Sequence, residues 1–374
     1  MLIGVPKEIK DNEFRVGMAP AGVDEVARHH GRKVLVQSGA GAGIGYTDED
    51  YEQAGATVAA TAEDVFEQAD LIVKVKEPQP NERKMLREGQ VLFTYLHLAP
   101  DPEQTKDLID SNATCIAYET VTKAGGGLPL LAPMSEVAGR MSIQAGAHCL
   151  EKAHGGRGML ISGVPGVRPA NVVILGGGVV GANAAYVAVG MGANVAVIDR
   201  NIDVMRALNA RFGPSLKTVF ALRGVIDEYL LEADLVIGAV LVPGADAPKL
   251  IGADIVKRMK RGAAIVDVAI DQGGCSETSR PTTHSKPTYV VDEVIHYCVT
   301  NMPGAVPHTS TYALNNATLP FVLALADKGT ERALRDDEHL RNGLNIHRGQ
   351  VTCKAVADNL GLSFVPALDA LARG

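Results

Sequence analysis

Residues 172–198 restrict the fold more than any other part of this chain. None of them is charged, and glycines cluster at Gly176, Gly177, Gly178 and Gly181. A single membrane-spanning helix is poorly served by those glycines and by Asn183 and Asn194. A buried strand, a glycine turn, an apolar helix and a second strand accommodate all of them. Strand residues 172–175 run straight into the turn, Gly176, Gly178 and Gly181 take the G-x-G-x-x-G spacing, and the second strand ends at Asp199. A carboxylate about 20 residues past the glycines completes the dinucleotide fingerprint. Gly176 permits the tight turn, Gly178 lets backbone approach a pyrophosphate, and Gly181 lets the helix pack against the strand. The helix N-terminus offers unpaired N–H groups to phosphate. Asp199 would accept hydrogen bonds from ribose hydroxyls and repel a 2′-phosphate, which predicts NAD rather than NADP, with Arg200 beside it to soften the preference. The alternative is that the glycines only tighten a βα turn.

The rest of the chain fits around that unit. Apolar runs at 2–5, 33–37, 69–76, 91–98 and 114–118 alternate with helical segments at 21–30, 48–54, 61–68, 81–87 and 103–111. A second series of strands is expected at 171–175, 194–199, 216–220, 233–240 and 263–269, with helices at 202–212 and 253–259 between them. Such alternation predicts two parallel α/β sheets of the Rossmann type. Two long helical segments, 135–152 and 309–328, read as connectors, and Pro320 is expected to kink or break the second. Beyond it only helices are expected, such as 350–359. The predicted domains are therefore 1–130 with 307–374, discontinuous and binding substrate, and 131–306, binding the dinucleotide. The active site is expected in the cleft between them.

Composition narrows the class. Across 374 residues, 46% hydrophobic and 21% charged content suits two globular cores rather than disorder. A net charge of −7 without a basic block leaves no nucleic-acid footprint. The five scattered cysteines, without a Cys-x-x-Cys pair, suit a reducing compartment rather than a disulfide framework or a zinc site. Residues 1–7 do not read as a signal peptide. A second glycine cluster, at Gly39, Gly41, Gly43 and Gly45, misses the fingerprint spacing and reads as a flexible loop.

Ligands of open parallel sheets sit beyond the carboxyl ends of the strands. Ionisable residues expected there are Arg15 after the first strand, Lys76, His97 and Asp271. Each has a plainer reading: Arg15 as a surface charge, Lys76 as a solvated strand end with Lys74 on the same face, His97 as a core histidine beside Phe93 and Tyr95, Asp271 as a turn cap. Their joint placement favours a cleft site, where ionisable groups gather.

Several motifs carry a resemblance. Lys7-Glu8, Asn12-Glu13-Phe14-Arg15-Val16, Lys74-Val75-Lys76-Glu77-Pro78 and Tyr95-Leu96-His97-Leu98 resemble the substrate-domain motifs of alanine dehydrogenases. Pro133-Met134-Ser135-Glu136-Val137-Ala138-Gly139-Arg140, residues 238–244, Asp271-Gln272-Gly273-Gly274, Asn301-Met302-Pro303 and Ser310-Thr311-Tyr312-Ala313-Leu314 are similar to the rest of that family's pattern, over nearly the whole chain. The resemblance implies a cytoplasmic, hexameric, NAD-dependent enzyme that interconverts L-alanine with pyruvate and ammonium. It implies that Arg15 and Lys76 bind the substrate carboxylate, that His97 is an acid/base, and that Asp271 assists proton transfer. Ser135, Asp199, Arg280, Asn301 and Met302 would hold NAD, with backbone at Val240, Leu241 and Val268–Asp271. Some family members hold magnesium through a Glu and a His on the late helix. This chain has Ala324 and Lys328 there, so no bound metal is expected. Rival readings are the soluble cofactor-binding part of a transhydrogenase, a dehydrogenase for another amino acid or 2-oxo acid, and a non-catalytic NAD-binding regulator. Neither a membrane nor a nucleic-acid partner is expected.

Overall fold

The computed structural model describes residues 1–240 and 247–372. Among them the strands are β1 (Leu2–Val5), β2 (Lys33–Gln37), β3 (Thr57–Ala59), β4 (Leu71–Val73), β5 (Val91–Thr94), β6 (Thr114–Ala117), β7 (Asn171–Leu175), β8 (Asn194–Asp199), β9 (Leu216–Phe220), β10 (Leu235–Gly238), β11 (Ala264–Asp267), β12 (Thr288–Val291), β13 (Val294–Tyr297), β14 (Leu344–His347) and β15 (Gln350–Val351). The chain divides into two compact units, residues 1–134 with 306–374, and residues 135–305.

Each unit holds one sheet. The first has the order β15-β14-β6-β5-β4-β1-β2-β3, the second β12-β13-β11-β10-β7-β8-β9. Strands β1 to β6 run parallel, as do β7 to β11 and β13. Counted within each unit, both sheets read 3-2-1-4-5-6 across their parallel strands. In that doubly wound order the strand connections diverge at one point, leaving a crevice at the carboxyl ends. The crevices fall between β1 and β4 in the first sheet and between β7 and β10 in the second.

The uncharged strands form because both faces are covered. Val172 and Ile174 of β7 pack into one core with Ile143, Leu235 and Val266, while Val173 and Leu175 pack into another with Val236, Ile255 and Ile265. Period-two alternation thus feeds two apolar layers rather than one apolar and one wet face. No helix among the described residues is long and apolar enough to cross a membrane.

The structure departs from the expected elements in several places, and β3, β12 and β13 lie where no strand is expected. Strand β4 ends at Val73, not residue 76, because beyond Lys74 the N–H groups of Val75 and Lys76 turn to Glu8 Oε1 (2.7 and 3.4 Å). The expected helix 21–30 is an α-turn, Pro20–Asp24, followed by a wider π-turn, Glu25–His29. Pro320 does not break the helix Pro307–Lys328, which buried Leu314, Thr318, Val322 and Leu325 anchor on either side of it. The C-terminal part is not purely helical: β14 and β15 form an antiparallel hairpin, with β14 on β6, and the helix there covers only Lys354–Leu360. The hairpin caps an otherwise bare sheet edge.

Candidate functional site

The glycine turn divides its work among three positions. Gly176 has φ +95°, and a methyl group there would lie 2.7 Å from Ala239 O, at the end of β10. Gly181 is tighter still, with a methyl only 1.8 Å from Gly176 O. Gly178 differs: its φ is −66°, and a methyl there would meet no protein atom within 4 Å. Two glycines are therefore required by packing, and the third leaves open space over the N-terminus of the helix Val179–Gly190, which no side chain caps. Such an arrangement has room for a phosphate against unpaired backbone N–H groups. Asp199 Oδ2 accepts the Gly177 N–H at 2.6 Å and Oδ1 accepts that of Asn201 at 2.8 Å, so the carboxylate is held beside the turn. A nucleotide cofactor fits these residues.

The other expected cofactor residues of this unit have distinct surroundings. Ser135 lies in the first turn of the helix Ala132–Cys149. Val240 follows β10 at the β7/β10 crevice, and Leu241 lies outside the described residues. Val268 and Asp271 sit on the 3-10 turn Val268–Gln272 after β11, with Asp271 exposed. Beneath that turn, fully buried Asp267 accepts from the N–H groups of Cys275 (2.9 Å) and Ser276 (3.3 Å) and from Ser279 Oγ (2.5 Å). Arg280 lays its guanidinium 4.3 Å over the Tyr289 ring. The Asn301 carbonyl lies 2.8 Å from His284 Nε2. Met302 is only 2% exposed and packs in the core with Ile174 and Tyr297.

In the first unit, Arg15, Lys76 and His97 follow β1, β4 and β5. The loop carrying Arg15 is pressed against the end of β4, since a methyl at Gly17 would lie 2.3 Å from Val73 O. The helix Pro307–Lys328 holds the loop from the other side: Ala19 N–H donates to Asn315 Oδ1 (2.5 Å) and Asn315 Nδ2 to Gly17 O (2.9 Å). Arg15 is 2% exposed, which removes the surface-charge reading. Glu13 grips it through Nε (2.6 Å) and Nη2 (2.5 Å), fixing the guanidinium plane, and Nη1 points at Met134 Sδ (3.1 Å).

Lys74 and Lys76 have different fates. Lys74 is wholly buried between Glu82 (2.7 Å) and Glu8 (3.2 Å), a structural knot below the site. Burial pushes the Glu8 carboxyl up, against the pull of Lys74. Lys76 remains partly exposed. Burial and the neighbouring Arg15 guanidinium hold its ammonium below the usual lysine range, against Glu77.

His97 is no core histidine. Its side chain is 48% exposed, its ring stacks 5.9 Å from that of Tyr95, and Nδ1 lies 3.8 Å from Glu119 Oε1. Its φ is +51°, the left-handed region that a histidine adopts at a cost of about 1–3 kcal/mol. The carboxylate of Glu119 sustains that backbone by accepting the N–H of His97 (2.6 Å) and of Leu96 (3.1 Å). Tyr95 links the set, stacking on His97 on one side and lying within the field of Arg15 on the other. Sequence reasoning missed Glu8, Glu13, Glu119 and Asp267. Glu13, two residues from Arg15, was detectable as a local partner, whereas Glu8, Glu119 and Asp267 act through contacts made only by folding.

Two of the four glycines in the second cluster, Gly41 and Gly43, are tightly packed, whereas a methyl at Gly45 would meet nothing within 4 Å. A methyl at Gly43 would lie 2.4 Å from Phe14 O, and one at Gly41 2.6 Å from the Tyr51 ring. On the late helix Ala324 offers no ligand atom and Lys328 pairs with Asp336 at 3.3 Å.

The profile "Alanine dehydrogenase/PNT, N-terminal domain" matches residues 4–138 and its C-terminal counterpart residues 142–354. The chain is 59% identical to an alanine dehydrogenase of Halomonas elongata, over 98% of this chain and 99% of that one. It is 53% identical to an alanine dehydrogenase of Mycobacterium tuberculosis over 100% of both. A solved L-alanine dehydrogenase superposes with a TM-score of 0.94 at 50% identity, covering 96% of this chain and 99% of that one. A transhydrogenase from Sinorhizobium meliloti shares the fold, with a TM-score of 0.82 at 24% identity over 94% of this chain and 100% of that one.

Proposed function

This chain belongs to the alanine dehydrogenase/PNT family, and from that premise we propose the roles by which it, an amino-acid dehydrogenase, oxidises L-alanine to pyruvate and ammonium and runs the reverse reaction. Supporting this reading above all is that one sheet brings Arg15, Lys76 and His97 after β1, β4 and β5, at and beside its crevice.

Arg15, its plane set by Glu13, grips the substrate carboxylate through two N–H groups. Lys76 adds positive charge and polarises the developing carbonyl. The nicotinamide, when bound, supplies the hydride acceptor. Water attacks the imine formed from alanine, and the carbinolamine collapses to pyruvate and ammonia. His97, the imidazole of the set, carries the protons of these steps. Asp271 orients the attacking water or accepts a proton from the amine.

Gly176, Gly178 and Gly181 cradle the pyrophosphate, and Asp199 accepts from the ribose hydroxyls, so NAD is the dinucleotide. Ser135, Arg280, Asn301 and the backbone at Val240, Leu241, Val268 and Met302 complete its contacts. The protein works in the cytoplasm, as the unpaired cysteines favour, and as a homohexamer, as the family suggests. Analytical ultracentrifugation checks the assembly.

The test is NADH formation by the purified protein with NAD and a panel of amino acids at alkaline pH. Alanine is expected to give the highest kcat/KM. Absence of NADH formation with every amino acid, despite NADH binding, would favour a regulator, and preference for another amino acid would reassign the substrate.

A further inference from the structure

We propose that His148, Glu151 and His154 form a binding site for a divalent cation of the zinc type, apart from the catalytic residues.

The helix Ala132–Cys149 ends just after His148, and the chain continues through the 3-10 turn Lys152–His154. Glu151 N–H donates to His148 O and His154 N–H to Glu151 O, each at 3.1 Å. These i→i+3 bonds set three side chains, spaced three residues apart, on one side of a tightly wound segment. The two imidazoles face each other with centroids 3.7 Å apart. His148 Nδ1 lies 3.6 Å from Glu151 Oε1, and His154 Nε2 lies 3.7 Å from Oε2. All three ligand atoms fall within 4.8 Å of one another.

Those separations are too long for hydrogen bonds and close to the edge of a coordination sphere. Bonds of about 2.0–2.1 Å at tetrahedral angles place neighbouring ligand atoms about 3.4 Å apart. Two imidazoles and one carboxylate, exposed so that water completes the sphere, are the donor set of Zn²⁺, Ni²⁺ or Co²⁺. Mg²⁺ and Ca²⁺ prefer oxygen alone. The C-terminal end of the helix, where His148 stands, also favours a cation.

The place in the fold separates this site from the nucleotide cradle. Arg157 N–H donates to Gly262 O (3.0 Å), just before β11, and its guanidinium pairs with Asp234 (3.2 Å), just before β10. The segment thus packs at the amino ends of those strands, whereas Gly176 and Asp199 stand at the carboxyl ends of β7 and β8. A bound cation ties the helix's last turn to the turn beyond it and stabilises the fold by mass action.

The experiment uses the full chain without an affinity tag, freed of metal by chelator. It is titrated calorimetrically with ZnCl₂ and, in parallel, with MgCl₂. One Zn²⁺ per chain is expected, with Mg²⁺ at least ~100-fold weaker. The double variant His148→Ala/His154→Ala is expected to bind Zn²⁺ at least ~10-fold more weakly and to lose the zinc-dependent rise in Tm. In chelator it keeps the wild-type rate of alanine oxidation. Glu151→Gln, which barely alters shape, serves as the second variant and weakens Zn²⁺ in the same direction. Equal affinity in wild type and both variants, or no binding to the wild type, overturns the proposal.

Discussion

Gly178→Ala separates cofactor approach from folding. The backbone at Gly178 has φ −66°, which alanine adopts freely, and the added methyl meets no protein atom within 4 Å. Lost chain entropy in the unfolded state and a slightly poorer N-cap offset each other to within about 1 kcal/mol. The Tm should therefore move by no more than about 4 °C. The same methyl occupies the space through which a phosphate would reach the helix N–H groups. Losing one hydrogen bond to a charged group costs about 1.5–3 kcal/mol. At 1.36 kcal/mol per decade, the KM for NAD rises roughly 10- to 150-fold. The KM for alanine should stay near its original value. Gly181→Ala is the contrast: its methyl lies 1.8 Å from the Gly176 carbonyl oxygen, so backbone must move and the Tm must fall well beyond that margin. Steady-state kinetics with both substrates and a thermal melt are the assays. An unchanged KM for NAD in Gly178→Ala, or a wild-type Tm in Gly181→Ala, would refute this division of labour.

Other predictions address single residues. His97→Ala should lower kcat at least ~100-fold, the usual scale for losing an acid/base group; near-normal turnover would remove His97 from the mechanism. Asp199→Ala should raise the KM for NAD far more than that for alanine and narrow the gap between NAD and NADP, and equal effects on both substrates would count against ribose binding. Lys74→Met should cost about 3–5 kcal/mol in denaturant unfolding, because Glu8 and Glu82 stay buried without their cation; a loss under ~1 kcal/mol would dissolve the structural knot. Because burial and Arg15 depress Lys76, its charge is lost at lower pH than the ~10.4 of an ordinary lysine, so the pyruvate KM should begin to climb below that pH. Lys76→Arg, which stays charged, should flatten the climb; an unchanged pH profile would clear Lys76 of the role.

Legibility in the sequence followed the kind of order each segment has. Strands β7 and β8 lie at the residues the apolar runs indicate, because parallel strands covered on both faces carry an unbroken signal. The hairpin β14–β15 was invisible by that criterion. Leu344-Asn345-Ile346-His347 is short and half polar, and it is a strand only because β6 stands beside it to pair with. Strand β4 was drawn too long because Lys74 and Lys76 continue an alternating pattern, and nothing local says that Glu8, 66 residues earlier, claims Lys74. The same limit applies to the candidate site. Arg15, Lys76, His97 and Asp271 stand at the ends of apolar runs, where sequence can point to them. The carboxylates that aim them are supplied largely by distant segments. Glu119 reaches the His97 backbone across 22 positions, and the left-handed conformation it sustains has no signature in Leu96-His97-Leu98.

The discontinuity of the first unit bears on how the polypeptide emerges from the ribosome. The second unit, residues 135–305, is an uninterrupted insert and is wholly synthesised before β14 and β15 exist. Since domains fold as units during translation, the second unit matures first, while the partial sheet β1–β6 waits with the pairing edge of β6 bare. That interval exposes the nascent chain to wrong strand pairing, and it closes only when residues 344–351 arrive to seal the edge.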